Sequence, residues 1–192
     1  ALALFARFLF DAFGSEIGSW QQILVVLSFL SMFLGAIAAI GQTNIKRLMA
    51  FSSISHMGFA LMGLAAGTEG GLNALLIYIV IYVIMNIGVF TFILNMERDG
   101  VAVTDISALG MYSKAQPFRA LCLALLILSL AGIPPLVGFI GKIYIFSAII
   151  EAGLLWLAFA GGIASVIGAY YYLRIVYLLY FGENEYQLSG TM

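Results

Sequence analysis

The sequence predicts an all-α membrane protein: a polytopic bundle of transmembrane helices in which one helix is broken. Three observations carry that prediction. Of 192 residues, 64% are hydrophobic and only 9% charged, with a mean hydropathy of +1.11, whereas soluble domains carry about 25% charged residues. Apolar runs long enough to cross a bilayer alternate along the chain with short polar turns. The third observation is residues 118–150, FRALCLALLILSLAGIPPLVGFIGKIYIFSAII, an apolar stretch interrupted by Gly132, Pro134-Pro135, Gly138, Gly141 and the charge of Lys142. As one straight helix it would run roughly 50 Å, against a hydrocarbon core of about 30 Å. Both prolines lack an amide hydrogen and clash with the preceding turn. The helix is therefore expected to break there and to leave unwound backbone near the membrane midplane, enclosed by protein or beside water.

The elements follow in order. Residues 1–13 read as the end of a membrane helix that begins before the chain, with Arg7 and Asp11 spaced i,i+4. A short acidic turn with Glu16 leads to a first span over residues 20–42, which opens on Trp20 as an interfacial anchor. GQTNIKR is a polar turn that sets Lys46 and Arg47 at the water boundary. Residues 48–67, rich in Ser and Gly, form a second span, and residues 72–96 a third. Residues 97–117, with Arg98 and Lys114, make the longest loop, and Pro117 opens the broken helix. Glu151 and Gly153 separate that helix from a last span, 154–181, and residues 182–192 read as a polar link to a further helix. Counted in alternation, Lys46, Arg47, Arg98, Lys114 and Arg119 fall on one side with Arg174 near it, while the opposite turns hold Glu16, Glu69 and Glu151. By the positive-inside rule the basic side faces cytoplasm or matrix.

Composition excludes several functions. Net charge is −1 and no dense basic cluster is present, so nucleic acid is not an expected partner. One histidine and one cysteine make no typical metal site, and no phosphate-cradling loop or nucleophile elbow occurs. Haem, flavin and iron–sulfur binding have no support. Cys122, among leucines, reads as a buried inert thiol.

What chemistry the chain has lies in isolated polar residues inside apolar spans. Lys142 is the foremost: roughly eight apolar residues separate it from Glu151, so it reads as intramembrane rather than snorkelling, and an intramembrane ionisable residue marks a functional site. Its stretch holds no carboxylate, so its partner has to come from another helix. His56, ten residues after Lys46, falls about 15 Å along a helix and so near mid-membrane. It suits a proton relay and a neutral, hydrogen-bonded helix contact equally. Tyr78, Tyr82 and Asn86, at i, i+4 and i+8, form a polar stripe better suited to interhelical hydrogen bonds than to a water chain. Lys46, at the boundary, reads first as an orientation anchor and second as a relay. Tyr144 follows Lys142 on the same helix. Tyr170, Tyr171, Tyr172 and Tyr177 read mainly as an aromatic belt, with Arg174 deep enough to need an acidic or carbonyl partner. Gly161, Gly162, Ser165, Gly168 and Ala169 give small-residue spacings that permit close packing and imply no chemistry.

AIGQTNIKRLMAFSSISHMGF, SLAGIPPLVGFIGKIYIF and IGAYYYLRIVYLLYF, in that order, resemble the antiporter-like membrane subunits of respiratory complex I, most closely the N-type. Asn44 and the YYYLR run favour the N-type, and lysine at 142 argues against the M-type. The resemblance implies the second five-helix inverted repeat of a fourteen-helix subunit, together with parts of the flanking helices. It implies proton translocation coupled to quinone reduction elsewhere, in a bacterial cytoplasmic or mitochondrial inner membrane, with other complex I membrane subunits and lipid as partners. It places no cofactor in this chain and puts FMN, iron–sulfur clusters and quinone in other subunits. Lys142 matches the family's lysine on the broken twelfth helix, the terminal proton site toward the outer face. Lys46 matches the basic residue between helices nine and ten, and His56 the SxSH position on helix ten. The family's buried glutamate and its further lysines would lie before residue 1. A multisubunit sodium/proton antiporter or membrane-bound hydrogenase subunit, and a purely structural scaffold, are the alternatives.

Overall fold

The computed structural model describes residues 2–98 and 100–182, so the polar link expected over 182–192 lies almost wholly outside the described residues. Among the described residues there are eight α-helices: α1 (Leu2–Phe13), α2 (Ile17–Ile40), α3 (Ile45–Ala65), α4 (Glu69–Leu94), α5 (Tyr112–Ala115), α6 (Pro117–Ala131), α7 (Val137–Glu151) and α8 (Leu155–Phe181). Four of them, α2, α3, α4 and α8, are long and apolar enough to cross a membrane. The broken helix is the pair α6 and α7, of 15 residues each, roughly 22 Å apiece and together enough for one crossing.

Helix ends are set by local chemistry. The Asn44 side chain accepts from the Arg47 amide and caps α3, and Thr68 does the same for α4 through Gly71. Pro117 occupies the first turn of α6, where its missing amide hydrogen costs nothing. The α2–α3 contact is close: a Cβ on Gly35 would meet backbone of Phe51 and Ser55, and one on Gly58 would meet Met32. Ser28 Oγ donates to the Gly58 carbonyl (2.8 Å) and Ser55 Oγ to that of Met32 (3.1 Å), so two serines lock the backbones that glycine lets approach. Two apolar clusters result, one toward each membrane face. The first gathers Leu48, Val89, Ile127, Tyr172 and Leu179, and the second Met32, Leu64, Leu75, Ile145 and Leu157.

Three sequence expectations change. The described residues of the 97–117 segment hold regular structure: Glu97–Arg98 and Val101–Ala102 pair as antiparallel strands, a 3-10 turn covers Ile106–Leu109, and α5 follows. Ile106, Leu109 and Tyr112 are buried, with Tyr112 edge-on to Phe92 at 5.4 Å, so this loop caps the bundle. Trp20 is buried, its indole donating to the Phe13 carbonyl at the end of α1 (3.0 Å) and its ring packed beside Phe10, centroids 5.9 Å apart. Cys122 is exposed, since the apolar face of α6 that carries it points out of the bundle.

Candidate functional site at the helix break

The break begins at Gly132, the left-handed residue that ends α6 (φ 81°). Its amide donates to the Ser129 carbonyl (3.0 Å) and that of Ile133 to Leu128 (3.2 Å), closing the last turn in a Schellman motif. The carbonyl of Ala131 is left without a helical partner, and Lys142 Nζ donates to it at 2.8 Å. Lys142 also donates to Ser165 Oγ of α8 at 2.7 Å. The side chain is only 6% exposed. An ammonium at the carbonyl end of a helix meets the negative end of the helix dipole, worth up to about 2 kcal/mol when partly buried. The ring of Phe59 adds a cation–π face, its centroid 5.1 Å from Nζ.

Two glycines make this arrangement possible. A Cβ on Gly132 would meet Lys142 Cδ at 2.8 Å and Nζ at 2.9 Å, so glycine is required there both for the positive φ and for the lysine. A Cβ on Gly138 would run into the Ser129 carbonyl, so the start of α7 lies against the end of α6. The Gly138 amide donates to Ser129 Oγ (3.0 Å), which caps an otherwise unpaired first-turn donor of α7. Ser129 Oγ in turn donates to Met85 Sδ (2.8 Å).

A second polar group lies one layer away. His56 is 4% exposed and stands between two tyrosines: Nδ1 is 2.7 Å from the Tyr78 hydroxyl on α4, and Nε2 is 2.9 Å from the Tyr172 hydroxyl on α8. Tyr172 is also hydrogen-bonded to Ser52. The imidazole ring of His56 lies over the ring of Tyr82, centroids 4.9 Å apart. A side branch runs from Asn86 Nδ2 to the Tyr82 hydroxyl (3.2 Å), on to Ser53 Oγ (2.8 Å) and to the Met49 carbonyl (2.9 Å). Asn86 Oδ1 is buried and has no partner among the described residues.

Of the residues singled out in the sequence, Gly132, Pro134, Pro135, Gly138 and Lys142 come together at the break, and His56, Tyr78, Tyr82 and Asn86 form the neighbouring group. Lys46 is exposed at the start of α3 and joins neither. Tyr144, two residues from Lys142 and so on the opposite helix face, is 49% exposed. Arg174 finds a carbonyl partner, Ile40, at 3.3 Å. Tyr171 and Tyr172 are buried in the bundle and not part of an aromatic belt. Ser165, read as a packing residue, is the side chain of another helix to which Lys142 donates, a hydroxyl and not a carboxylate. Its one sequence signal was a hydroxyl inside a stripe of glycines. Phe59 and Ser129 gave none. No group of three or more His, Cys, Asp or Glu that could hold a metal ion occurs among the described residues.

A bundle of membrane-crossing helices, one broken around a buried ammonium held by the free carbonyl of its own half-helix, defines an antiporter-like membrane protein. The chain belongs to the NADH:quinone oxidoreductase/Mrp antiporter transmembrane family, which residues 1–168 match. It is 63% identical over its whole length to NADH-quinone oxidoreductase subunit N of Jannaschia sp. (strain CCS1), and 57% identical to that of Rhodobacter capsulatus. It spans 40% of the length of each. Among solved structures it is similar to a chain of respiratory complex I from Thermus thermophilus with bound aureothin. The TM-score is 0.77 at 30% identity, over 88% of this chain and 39% of that one. It is also similar to a chain of the Mrp complex from Dietzia sp. DQ12-45-1b, with a TM-score of 0.81 at 27% identity, over 91% of this chain and 32% of that one.

Proposed function

We propose that this chain is part of a proton-translocating subunit N of NADH:quinone oxidoreductase in a bacterial inner membrane, and that Lys142 carries the proton. The observation that supports this reading is the setting of Lys142: a lysine 6% exposed at a helix break, held among the described residues by neutral acceptors, the Ala131 carbonyl and the Ser165 hydroxyl. Among those residues no carboxylate pairs with it to hold it in one protonation state. A charge arriving 5 to 6 Å away, at an effective dielectric of about 20, is worth about 3 kcal/mol, about a hundredfold in proton affinity. Quinone reduction elsewhere in the complex would supply that change, and FMN, iron–sulfur clusters and quinone belong to other subunits. His56 and the Tyr78–Tyr82–Asn86 stripe supply hydrogen-bonded steps within the bundle. Lys46, exposed at the boundary, lies where protons would enter from the inner side.

The test is Lys142→Ala in the full complex. Inverted membrane vesicles with the assembled complex should show NADH-driven proton uptake reduced severalfold, and normal uptake would remove the role. A second reading, a subunit of a multisubunit sodium/proton antiporter, draws on the TM-score of 0.81 to the Mrp complex. The identity of 63% to subunit N weighs against it. Sodium-dependent proton exchange without quinone reduction would select it. In a purely scaffolding role, the same variant would lose assembly and keep pumping in whatever complex forms.

A further inference from the structure

Lys142 and the His56 group lie close together without a hydrogen bond between them. Among the described residues the polar contacts of Lys142 are with Ala131 and Ser165, and those of His56 are with Tyr78 and Tyr172. Phe59 neighbours both. It is on α3, one helical turn beyond His56, and 2% exposed. Its ring faces Lys142 Nζ at 5.1 Å, lies 6.4 Å from the Tyr78 ring and stands edge-on to Phe146 at 6.3 Å, each to the centroid. Gly141, beside Lys142, is packed on the same Tyr78 ring: a Cβ there would meet Tyr78 Cδ2 at 3.2 Å. The titratable amine and the hydroxyl–imidazole chain are thus held in one layer, and a single phenyl ring is what both of them touch.

We propose that Phe59 is the apolar stopper of this proton site, keeping Lys142 out of hydrogen-bonding contact with the Tyr78–His56–Tyr172 chain so that a proton crosses only when the ring turns aside. The proposal rests on the reading of Lys142 as a proton carrier. A phenyl ring offers no donor or acceptor in line and excludes the water that would bridge the two groups, and an apolar constriction of this kind closes a path by keeping it dry. Removing the ring beyond Cβ opens about 100 Å³, room for about three waters at about 30 Å³ each. A void lined wholly by carbon would stay dry, but this one has the ammonium on one side and, on the other, the ring of Tyr78, whose hydroxyl is bonded to His56, so water entering it would find polar partners. The cation–π contact has a second effect, since it favours a charged lysine with the ring in place.

The experiment compares Phe59→Ala and Phe59→Leu in the complete complex in inverted membrane vesicles. Quinone reduction, protons taken up per electron pair and passive proton leak under an imposed gradient are measured at equal amounts of assembled complex. Phe59→Ala should keep quinone reduction while protons per electron pair fall and passive leak rises about threefold, as expected when a dry constriction is wetted. Phe59→Leu, which keeps an apolar bulk without a π face, should leave the leak at the wild-type level. A leak and a proton ratio unchanged in assembled Phe59→Ala would overturn the proposal, as would equal leaks in both variants. If the alanine variant does not assemble, Phe59→Val is measured against Phe59→Leu with the same two readings deciding. Normal pumping by Lys142→Ala would instead remove the underlying reading, so the two failures are told apart by which variant shows them.

Discussion

At the scale of single residues, the site depends on neutral partners drawn from distant parts of the chain. Ser165 is 23 positions from Lys142 and on another helix. Replacing it with alanine leaves a buried charged donor one acceptor short, at about 1–3 kcal/mol. In Ser165→Ala we expect the complex to assemble and NADH-driven proton uptake to fall severalfold, less than in Lys142→Ala, with Ser165→Thr restoring most of it. Proton uptake by the three vesicle preparations, quenching a pH-sensitive dye, checks the order, and a Ser165→Ala complex that pumps normally would show that the Ala131 carbonyl alone suffices. Lys142 itself was legible in the sequence because an amine inside an apolar run is costly wherever it points. Its partners were not, because a serine among glycines and a phenylalanine among apolar residues carry no cost that would mark them. The same blindness misplaced Cys122 and Trp20: hydropathy says that a residue lies in a span and not which face of the helix it occupies. Tyr78 and Tyr82 bond across to α3, and that His56 is shared between α4 and α8 needed the fold.

At the scale of elements, the break is the feature that sequence and structure agree on most closely, because two consecutive prolines flanked by glycines leave the backbone few alternatives. The way the two halves meet was less accessible. α6 and α7 are joined end against end by the Ser129–Gly138 hydrogen bond and by the absence of a side chain on Gly138. The 97–117 segment was harder still, since short 3-10 and α turns held by Ile106, Leu109 and Tyr112 have no periodicity long enough to detect. Two glycines of similar appearance separate the contributions of helix propensity and close packing. Gly162 has no atom within 4 Å of a would-be Cβ, whereas that of Gly138 would overlap the Ser129 carbonyl. Alanine is favoured over glycine inside a helix by about 1 kcal/mol. Gly162→Ala should therefore leave the thermal stability of the complex unchanged or slightly raised, and Gly138→Ala should lower it and reduce pumping by prising the halves apart. Heating the detergent-solubilised complexes side by side and following retained quinone reduction decides it. Equal stabilities would mean that the half-helix ends are free to separate.

For the whole molecule, the question is which way the bundle sits in its membrane. The turn after α2 and the segment before α5 lie at the same end: the Ile45 amide donates to the Thr104 carbonyl (2.8 Å), that of Ile106 to Thr43 (2.9 Å), and Asn44 Nδ2 to Thr104 Oγ1 (2.8 Å). The Met111 amide joins them to the end of α8 through the Leu178 carbonyl (3.1 Å). Lys46, Arg47, Lys114 and Arg119 belong to that end. At the other, Gln21 Nε2 donates to the Ala65 carbonyl (2.9 Å), tying the start of α2 to the end of α3, and the acidic residues Glu16, Glu69 and Glu151 are exposed. Between the two ends the outer faces of α2 and α4 are each apolar, with Leu30, Leu34, Val80 and Ile84 exposed, as suits hydrocarbon or the helices of neighbouring subunits. The basic end is assigned to the cytoplasm, and accessibility tests that assignment. Because Cys122 is the one cysteine of this sequence and is exposed on α6, it is first replaced by serine, together with any cysteine in the rest of the subunit. In that background Lys114→Cys should react with a membrane-impermeant maleimide only in inverted vesicles, and Glu151→Cys only in spheroplasts, whose outer face is accessible. Both positions are exposed in the chain, so an absence of labelling from either side would locate a contact with another subunit. Labelling from the opposite sides would reverse the bundle in the membrane and, with it, the direction in which Lys142 could deliver a proton.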